Sequence, residues 1–235
     1  MSQSADPILR LSGVHLKLAS QAGEVNILRG VDLSVAPGES VAVVGPSGSG
    51  KSTMMMIVAG LERPTQGTVH VAGQDLTALD EDGLALYRRR SIGIVFQAFH
   101  LIPTMTALEN VAIPLEFAGD RDAWGKAKKA LESVGLGHRL THYPGQMSGG
   151  EQQRTALARA VVAEPKLLLA DEPTGNLDVA TGTGIVDLMF DLRARLGTAL
   201  VLITHDPGLA RRCDRAVCME DGRLSAHPAI LAAAQ

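Results

Sequence analysis

Cysteine is almost missing: Cys213 and Cys218 are the only two in 235 residues. That excludes a disulfide scaffold and a four-cysteine zinc site, and it fits a reducing compartment. Aromatic residues are scarce too, with four Phe, two Tyr and one Trp, too few for a base-stacking platform. There is no excess of positive charge. Twenty-two Lys+Arg against 25 Asp+Glu leave a net charge of −3, so nucleic acid is not an expected partner. Nor is there a long apolar run: the longest, residues 54–61, is far below the ~18 residues of a spanning helix. Residues 1–7 carry neither a basic nor an apolar signal segment. The expectation is a soluble, cytosolic chain that reaches a membrane only by docking on another protein.

What is present is a globular composition. Hydrophobic residues make up 46% and charged residues 20%, enough for a sizeable core, and the length suits one large domain or a core with a subdomain. The first third reads as β. Residues 8–18 and 27–35 are strand-like, and Pro37-Gly38-Glu39 turns the chain into a buried strand at 40–44. A helix is expected over 51–59, and strands at 68–71 and 92–96. From about 106 to 163 the texture is helical, with one helix over 122–134 stopped by Gly135 and another opening after Ser148-Gly149-Gly150. Then β returns at 166–170. An amphipathic helix follows, carrying Ile185, Leu188, Met189, Leu192 and Leu196 on one face. Strands at 199–204 and 215–219 close the set at the Asp221-Gly222 turn, and the Ala-rich tail from Pro228 reads as a short helix or a frayed end. No internal repeat and no separating linker is visible. The reading is an α/β core with a helical insertion at roughly residues 100–163.

Gly45-Pro46-Ser47-Gly48-Ser49-Gly50-Lys51-Ser52 fits G-x-x-x-x-G-K-[ST] between a predicted strand and a predicted helix. Glycines there let successive backbone N–H groups converge on phosphate oxygens, and the helix start adds its positive end. Lys51 would reach the β- and γ-phosphates, and the Ser52 hydroxyl would bind Mg²⁺. A dinucleotide fingerprint fails, because no third glycine follows Gly48-Ser49-Gly50. A plain Gly/Ser linker would not sit between strand and helix. The expected ligand is a nucleoside triphosphate.

Leu167-Leu168-Leu169-Ala170-Asp171-Glu172 puts two carboxylates where a buried strand leaves its sheet. Alone this is as much a strand-to-turn boundary as a site. After a phosphate loop it reads as Asp171 holding Mg²⁺ through water and Glu172 orienting and deprotonating an attacking water.

These features leave ATPase, kinase and GTPase open. Met147-Ser148-Gly149-Gly150-Glu151-Gln152-Gln153-Arg154 resembles the signature of ATP-binding cassette (ABC) proteins. Gln97 in Val95-Phe96-Gln97 is similar to their Q-loop glutamine, Asn176-Leu177-Asp178 to their D-loop, and His205 in Ile203-Thr204-His205-Asp206 to their switch histidine. Six ordered motifs carry the resemblance from residue 9 to about 224. It implies a P-loop NTPase of ABC-cassette type, a RecA-like α/β core with an antiparallel β subdomain and a helical insertion. The ATP-binding domain would span 8–232, with the core at about 8–99 and 164–232 and the helical subdomain at about 100–163. The resemblance further implies ATP contacts from Gly45, Pro46, Ser47, Gly48, Ser49, Gly50, Lys51, Ser52, Thr53 and Gln97, and from Ser148, Gly149, Gly150 and Asp178. Mg²⁺ would lie on Ser52, Gln97 and, through water, Asp171, with Glu172 and His205 catalytic.

Family cassettes pair head to tail, the signature of one covering the ATP on the phosphate loop of the other, which implies a two-fold dimer. The other implied partner is an integral membrane permease, with the cassette peripheral on the cytoplasmic face of the inner membrane. Phe96 to Pro103, Glu109-Asn110-Val111 and Asp171 to Asp178 are similar to the lipoprotein-release and macrolide-export (LolD-like and MacB-like) cassettes, and most to the YbbA-like branch. That branch implies mechanotransmission to a permease with a large periplasmic domain. The chain departs from the family twice. Glu151 stands where many members have Gln, so it is assigned no phosphate contact. Leu18 stands where an aromatic, mostly Tyr, stacks on adenine, leaving Leu18 or Val25 to offer apolar contact only. Two other classes fit the sequence less well. A soluble ABC protein acting on ribosomes or nucleic acid would carry two cassettes, a coiled-coil insertion or a basic arm, and a P-loop nucleotide kinase would leave Ser148-Gly149-Gly150 unexplained.

Overall fold

The computed structural model describes residues 6–20 and 23–226, so the Ala-rich tail lies outside the described residues. The chain opens with β1 (Leu9–Ser20) and β2 (Gly23–Val35). Leu9, Leu11, Val14 and Leu16 are the buried side chains of β1. Their alternation slips by one residue at Gly13, where φ is +56° and the β1–β2 register shifts. A bulge there keeps both halves of the apolar set on one face. β3 (Ser40–Val44) is buried throughout and ends in the loop that starts α1 (Lys51–Val58). β4 (Gln66–Val71), the two-residue β5 (Gln74–Asp75), a 3₁₀ turn at Leu76–Ala78 and α2 (Glu81–Ser91) lead to β6 (Ile92–Phe96).

The helical stretch contains α3 (Ala107–Phe117), α4 (Ala123–Ser133) and α5 (Gly149–Val161). α3 tolerates Pro114 inside it and begins with a Thr106–Glu109 capping box. β7 (Leu167–Asp171), α6 (Val179–Leu196), β8 (Ala199–Ile203), α7 (Pro207–Ala210), β9 (Arg215–Glu220) and β10 (Arg223–Ala226) complete the order. α6 starts six residues before its apolar stripe because Asp178 caps it, accepting from the Thr181 N–H at 3.0 Å. β10 exists because Asp221 and Gly222 both have positive φ, +47° and +74°, the hairpin turn that folds a strand back on its neighbour.

Two compact units emerge among the described residues: those up to Arg88 together with those from Ala199 onward, and Arg89–Thr198. The first holds an antiparallel sheet in the order β2-β1-β4-β5 and a run of strands β10-β9-β3-β8. In that run β3 is parallel to both β8 and β9, and β10 is antiparallel to β9. A strand paired in parallel on both sides is covered on both faces, which is why Val41, Ala42 and Val43 are fully buried. The second unit holds the parallel pair β6–β7, with α3, α4, α5 and α6. One of its interior polar groups is Asn110, fully buried yet satisfied. Its amide donates to the carbonyls of Ile102, Met105 and Thr106 and accepts from the Ile102 N–H. Among the described residues, no helix is long and apolar enough to cross a membrane.

Candidate functional site

In the first unit the loop from Gly45 to Gly50 joins the buried end of β3 to α1. A β-carbon on Gly45 would lie 2.0 Å from the Met219 carbonyl oxygen, and one on Gly50 2.9 Å from Leu28 Cδ2. Their φ values, +146° and +107°, also belong to glycine. The loop is pinned from outside: the Gly222 N–H donates to the Ser49 carbonyl, and the Arg29 N–H to the Gly222 carbonyl. α1 starts at Gly50 with no side-chain cap. Lys51 is buried, and its ammonium donates to the Gly45 and Pro46 carbonyls at 2.9 and 2.7 Å. Ser49 Oγ is buried with no hydrogen-bond partner among the described residues. Close-packed glycines, an uncapped helix start and a waiting hydroxyl together suit a polyphosphate. Pro46, Ser47 and Gly48 form the loop crest, while Ser52 and Thr53 lie in the first turn of α1, Ser52 exposed. His205 is exposed just after β8, where Asp206 caps α7 by accepting from the Gly208 N–H at 2.7 Å. Leu18 and Val25 are directly opposed across β1 and β2, each about 45% exposed (44% and 45%).

The second unit brings Gln97, Asp171, Glu172, the signature and Asp178 onto one connected set of elements. Gln97 and Asn176 clasp each other: the Gln97 amide donates to Asn176 Oδ1 at 3.3 Å, and the Asn176 amide donates to the Gln97 carbonyl at 3.0 Å. Gly175 lies so close beneath that a β-carbon would sit 2.6 Å from Gln97 Nε2. Asp171 ends β7. Glu172 follows with φ +45°, a costly conformation for a side chain with a β-carbon. Its carbonyl accepts from the Gly175 N–H at 3.0 Å, closing the turn toward Asp178.

Two residues to which the sequence alone assigns no separate role hold this arrangement. Gln153, fully buried in α5, donates to the Pro173 carbonyl at 2.5 Å and the Phe96 carbonyl at 3.4 Å. It thereby links the signature helix to the segments on either side of the clasp. A signal existed, since Gln153 occupies an apolar stripe with Ala156, Leu157, Ala160 and Val161, and a polar residue there needs a partner. Arg159 donates to the Phe99 and His100 carbonyls at 2.8 and 2.6 Å, and burial draws its guanidinium below its usual pKa. Those two carbonyls belong to residues with φ of +60° and +47°, so the arginine holds a strained segment after Gln97.

The signature opens α5. Ser148 Oγ accepts from the Glu151 N–H at 3.3 Å, and Glu151 Oε2 accepts from the Ser148 N–H at 2.8 Å, a capping box. Glu151 Oε1 also meets Arg139 Nε at 2.8 Å. The Ser148 N–H first, and then the Arg139 guanidinium, hold the Glu151 carboxyl below the usual carboxylate range. The Thr181 hydroxyl and N–H do the same for Asp178. Gly149 and Gly150 face Leu177 and Thr181, where β-carbons would lie 3.3 and 2.6 Å from side-chain carbons. Ser148, Gly149, Gly150, Arg139, Arg154 and Asp178 are among the residues lining an open groove of roughly 610 Å³.

A glycine-built phosphate loop on a β-strand, an acidic strand end, and a second helix start carrying Ser-Gly-Gly define a P-loop nucleoside triphosphatase of the cassette class. The family model for the ABC transporter matches residues 28–175. The chain is 50% identical to the lipoprotein-releasing system ATP-binding protein LolD 2 of Caulobacter vibrioides, over 94% of this chain and 97% of that one. It is 51% identical to the uncharacterized ABC transporter ATP-binding protein YbbA of Escherichia coli K12, over 89% and 94%. Among solved structures, it matches the dimeric post-hydrolysis ATP-binding cassette MJ0796 bound to ADP and Pi. The TM-score is 0.85 and the identity 38%, covering 93% of this chain and 98% of that one. The chain belongs to the ABC transporter family: it has the ABC cassette fold, binds ATP, and is the ATPase of a membrane transporter.

Proposed function

We propose that two copies of this chain pair head to tail on ATP and drive an integral membrane permease of the lipoprotein-release or macrolide-export type, by mechanotransmission. The observation that carries this reading is the signature helix start, where Ser148, Gly149 and Gly150 line an open groove. The positive end of the helix dipole there suits the γ-phosphate of a nucleotide held by a second copy. The Ser148 hydroxyl can keep accepting from Glu151 while it donates to that phosphate. A dimeric MJ0796 cassette among the solved relatives supports the pairing. The LolD names support a releasing system as the assembly this chain serves, and its seat in this reading is the cytoplasmic face of the inner membrane. A permease with a large periplasmic domain is the partner this implies.

In this reading the loop from Gly45 to Thr53 cradles the phosphates, with Lys51 turning from its own loop carbonyls to the β- and γ-phosphates. Leu18 and Val25 offer the adenine an apolar surface. The hydroxyl of Ser52, the amide of Gln97 and, through water, the carboxylate of Asp171 are hard oxygen donors that fit Mg²⁺. When bound, Mg²⁺ neutralises charge on the phosphates. Glu172 orients the attacking water and takes its proton, and His205 contacts the γ-phosphate end. A soluble ribosome- or nucleic-acid-acting cassette is not favoured by the relatives or by the charge of −3.

The test is Glu172→Gln. ATP binding should persist while turnover falls about 10²–10⁴-fold, the usual cost of a lost general base, and gel filtration with ATP should show a trapped dimer. Near-normal hydrolysis would remove Glu172 from the base role. A chain that stays monomeric with ATP bound would overturn the pairing.

A further inference from the structure

The carboxylate of Glu151 stands at the third position of the signature helix, within the lining of the groove assigned above to a partner-held phosphate. Held below the usual carboxylate range, it is ionised at neutral pH. A fixed negative charge beside the landing point of a polyphosphate opposes binding unless another charge cancels it. Asp178, the other carboxylate lining the groove, accepts from the Thr181 N–H. For Glu151 the neighbour is Arg139, whose Nε meets Oε1 at 2.8 Å, with both side chains part-buried at 33% and 21% exposure. Arg139 is itself steadied by His142, its Nη1 lying 3.0 Å from His142 Nε2. The guanidinium cannot lose its proton at any physiological pH, so the cancellation is permanent.

We propose that Arg139 is a positioning and charge-masking residue for the signature. It holds Glu151 in its capping box and cancels the carboxylate that would otherwise repel the γ-phosphate of a nucleotide on a second copy. The inference rests on the head-to-tail reading and deepens it. It explains how a chain with Glu where many cassettes carry neutral Gln keeps a working anion site. Arg139 does not touch the nucleotide; it acts through Glu151.

The experiment is a double-mutant cycle in the Glu172→Gln chain, reading the ATP concentration that gives half-maximal dimer by analytical ultracentrifugation. Arg139→Ala should raise that concentration about tenfold, as expected for one unmasked charge near a polyphosphate. Adding Glu151→Gln should bring it back to within about twofold of the parent, because no charge is left to mask. Arg139→Lys, which keeps the charge but not the fork, should fall between the two. Fluorescent-nucleotide binding to the monomer should not change in any of them, which separates masking from misfolding. An unchanged dimer curve for Arg139→Ala, or an equal loss with and without Glu151, would overturn the masking role alone. Failure of the Glu172→Gln parent to dimerise with ATP would instead sink the head-to-tail reading, and the inference with it.

Discussion

Two helices of this chain begin at sites read as phosphate-binding, and they are built in opposite ways. α1 starts at Gly50 with φ +107°, no side-chain cap, and glycines pressed against the backbone of β2 and β9. α5 starts at Ser148 with a reciprocal side-chain cap and an arginine beside it. In the first, the anion site is backbone fixed by what surrounds it. In the second, the site is made by side chains that bond to each other. A site of the first kind is rigid before the ligand arrives and intolerant of any added atom. A site of the second kind can be retuned by exchanging side chains, provided the neighbouring charge follows.

The largest effect that separates the two lies at Gly45. Alanine there would drive Cβ to 2.0 Å from the Met219 carbonyl oxygen at a φ of +146°. We expect Gly45→Ala to lower the unfolding free energy by at least ~3 kcal/mol and to abolish ATP binding. Gly48→Ala is the control, since its β-carbon would meet nothing within 4 Å and only the φ of +78° opposes it. It should cost about 1–2 kcal/mol. Urea denaturation and nucleotide titration on both variants check this. Equal losses would mean that the loop is held by backbone conformation alone and not by its packing.

An intermediate effect is expected at Gly150, where an alanine β-carbon would come to 2.6 Å from Thr181 Cγ2. Crowding a methyl group costs about 1–3 kcal/mol, while alanine for glycine inside a helix returns roughly 1 kcal/mol. Gly150→Ala should therefore destabilise by about 1 kcal/mol. In a Thr181→Ser chain, which lacks that methyl group, the same change should become neutral or stabilising. Contact at α5 is with the tip of one side chain, and the partner can be trimmed; at Gly45 it is with a carbonyl, and nothing can. If Thr181→Ser fails to relieve Gly150→Ala, the obstacle lies in the helix backbone, and the contrast between the two sites weakens.

The difference also governs what the sequence discloses. Gly45 to Ser52 is legible because a contiguous backbone loop writes its whole requirement in one string, and β3 and β6 fall at 40–44 and 92–96 as their apolar runs foretell. β1 is legible as a strand, but its bulge at Gly13 is set by pairing with β2, which no local pattern shows. In the helical stretch α4 and α5 are legible from Gly135 and from Ser148-Gly149-Gly150, whereas α3 is legible only as texture, because Pro114 interrupts its pattern without breaking the helix. Around the signature the motif residues are readable, yet their supports are not. Arg139 lies 12 positions from Glu151, and Gln153 lies 57 from Phe96 and 20 from Pro173. Spacings of that kind carry no periodicity. Only the anomaly of a glutamine in an apolar stripe hints at one of them.

The smallest effect is the most specific to a side-chain-built site. Ser148→Ala removes the hydroxyl that accepts from the Glu151 N–H, and an N-cap of this kind is worth about 1 kcal/mol. It leaves the other half of the box, because Glu151 accepts from the backbone N–H of residue 148, which alanine also has. That retained bond is the main reason the Glu151 carboxyl is held low. A carboxyl whose folded pKa is depressed adds stability that is complete above its unfolded value, about 4.3. The contribution fades as pH falls through the lower folded value. Ser148→Ala should therefore shift the whole stability curve down by about 1 kcal/mol between pH 7 and 5, yet keep the wild-type loss on acidification below pH 4. Glu151→Gln should do the reverse, flattening that acid limb. Thermal melts of the three chains from pH 3 to 7 measure both. If the acid limb disappears with Ser148→Ala, the hydroxyl and not the backbone holds the carboxylate, and the two halves of the cap are one interaction. If both variants leave the limb intact, Glu151 does not report on this helix start, and the charge that Arg139 cancels must be sought elsewhere along the groove.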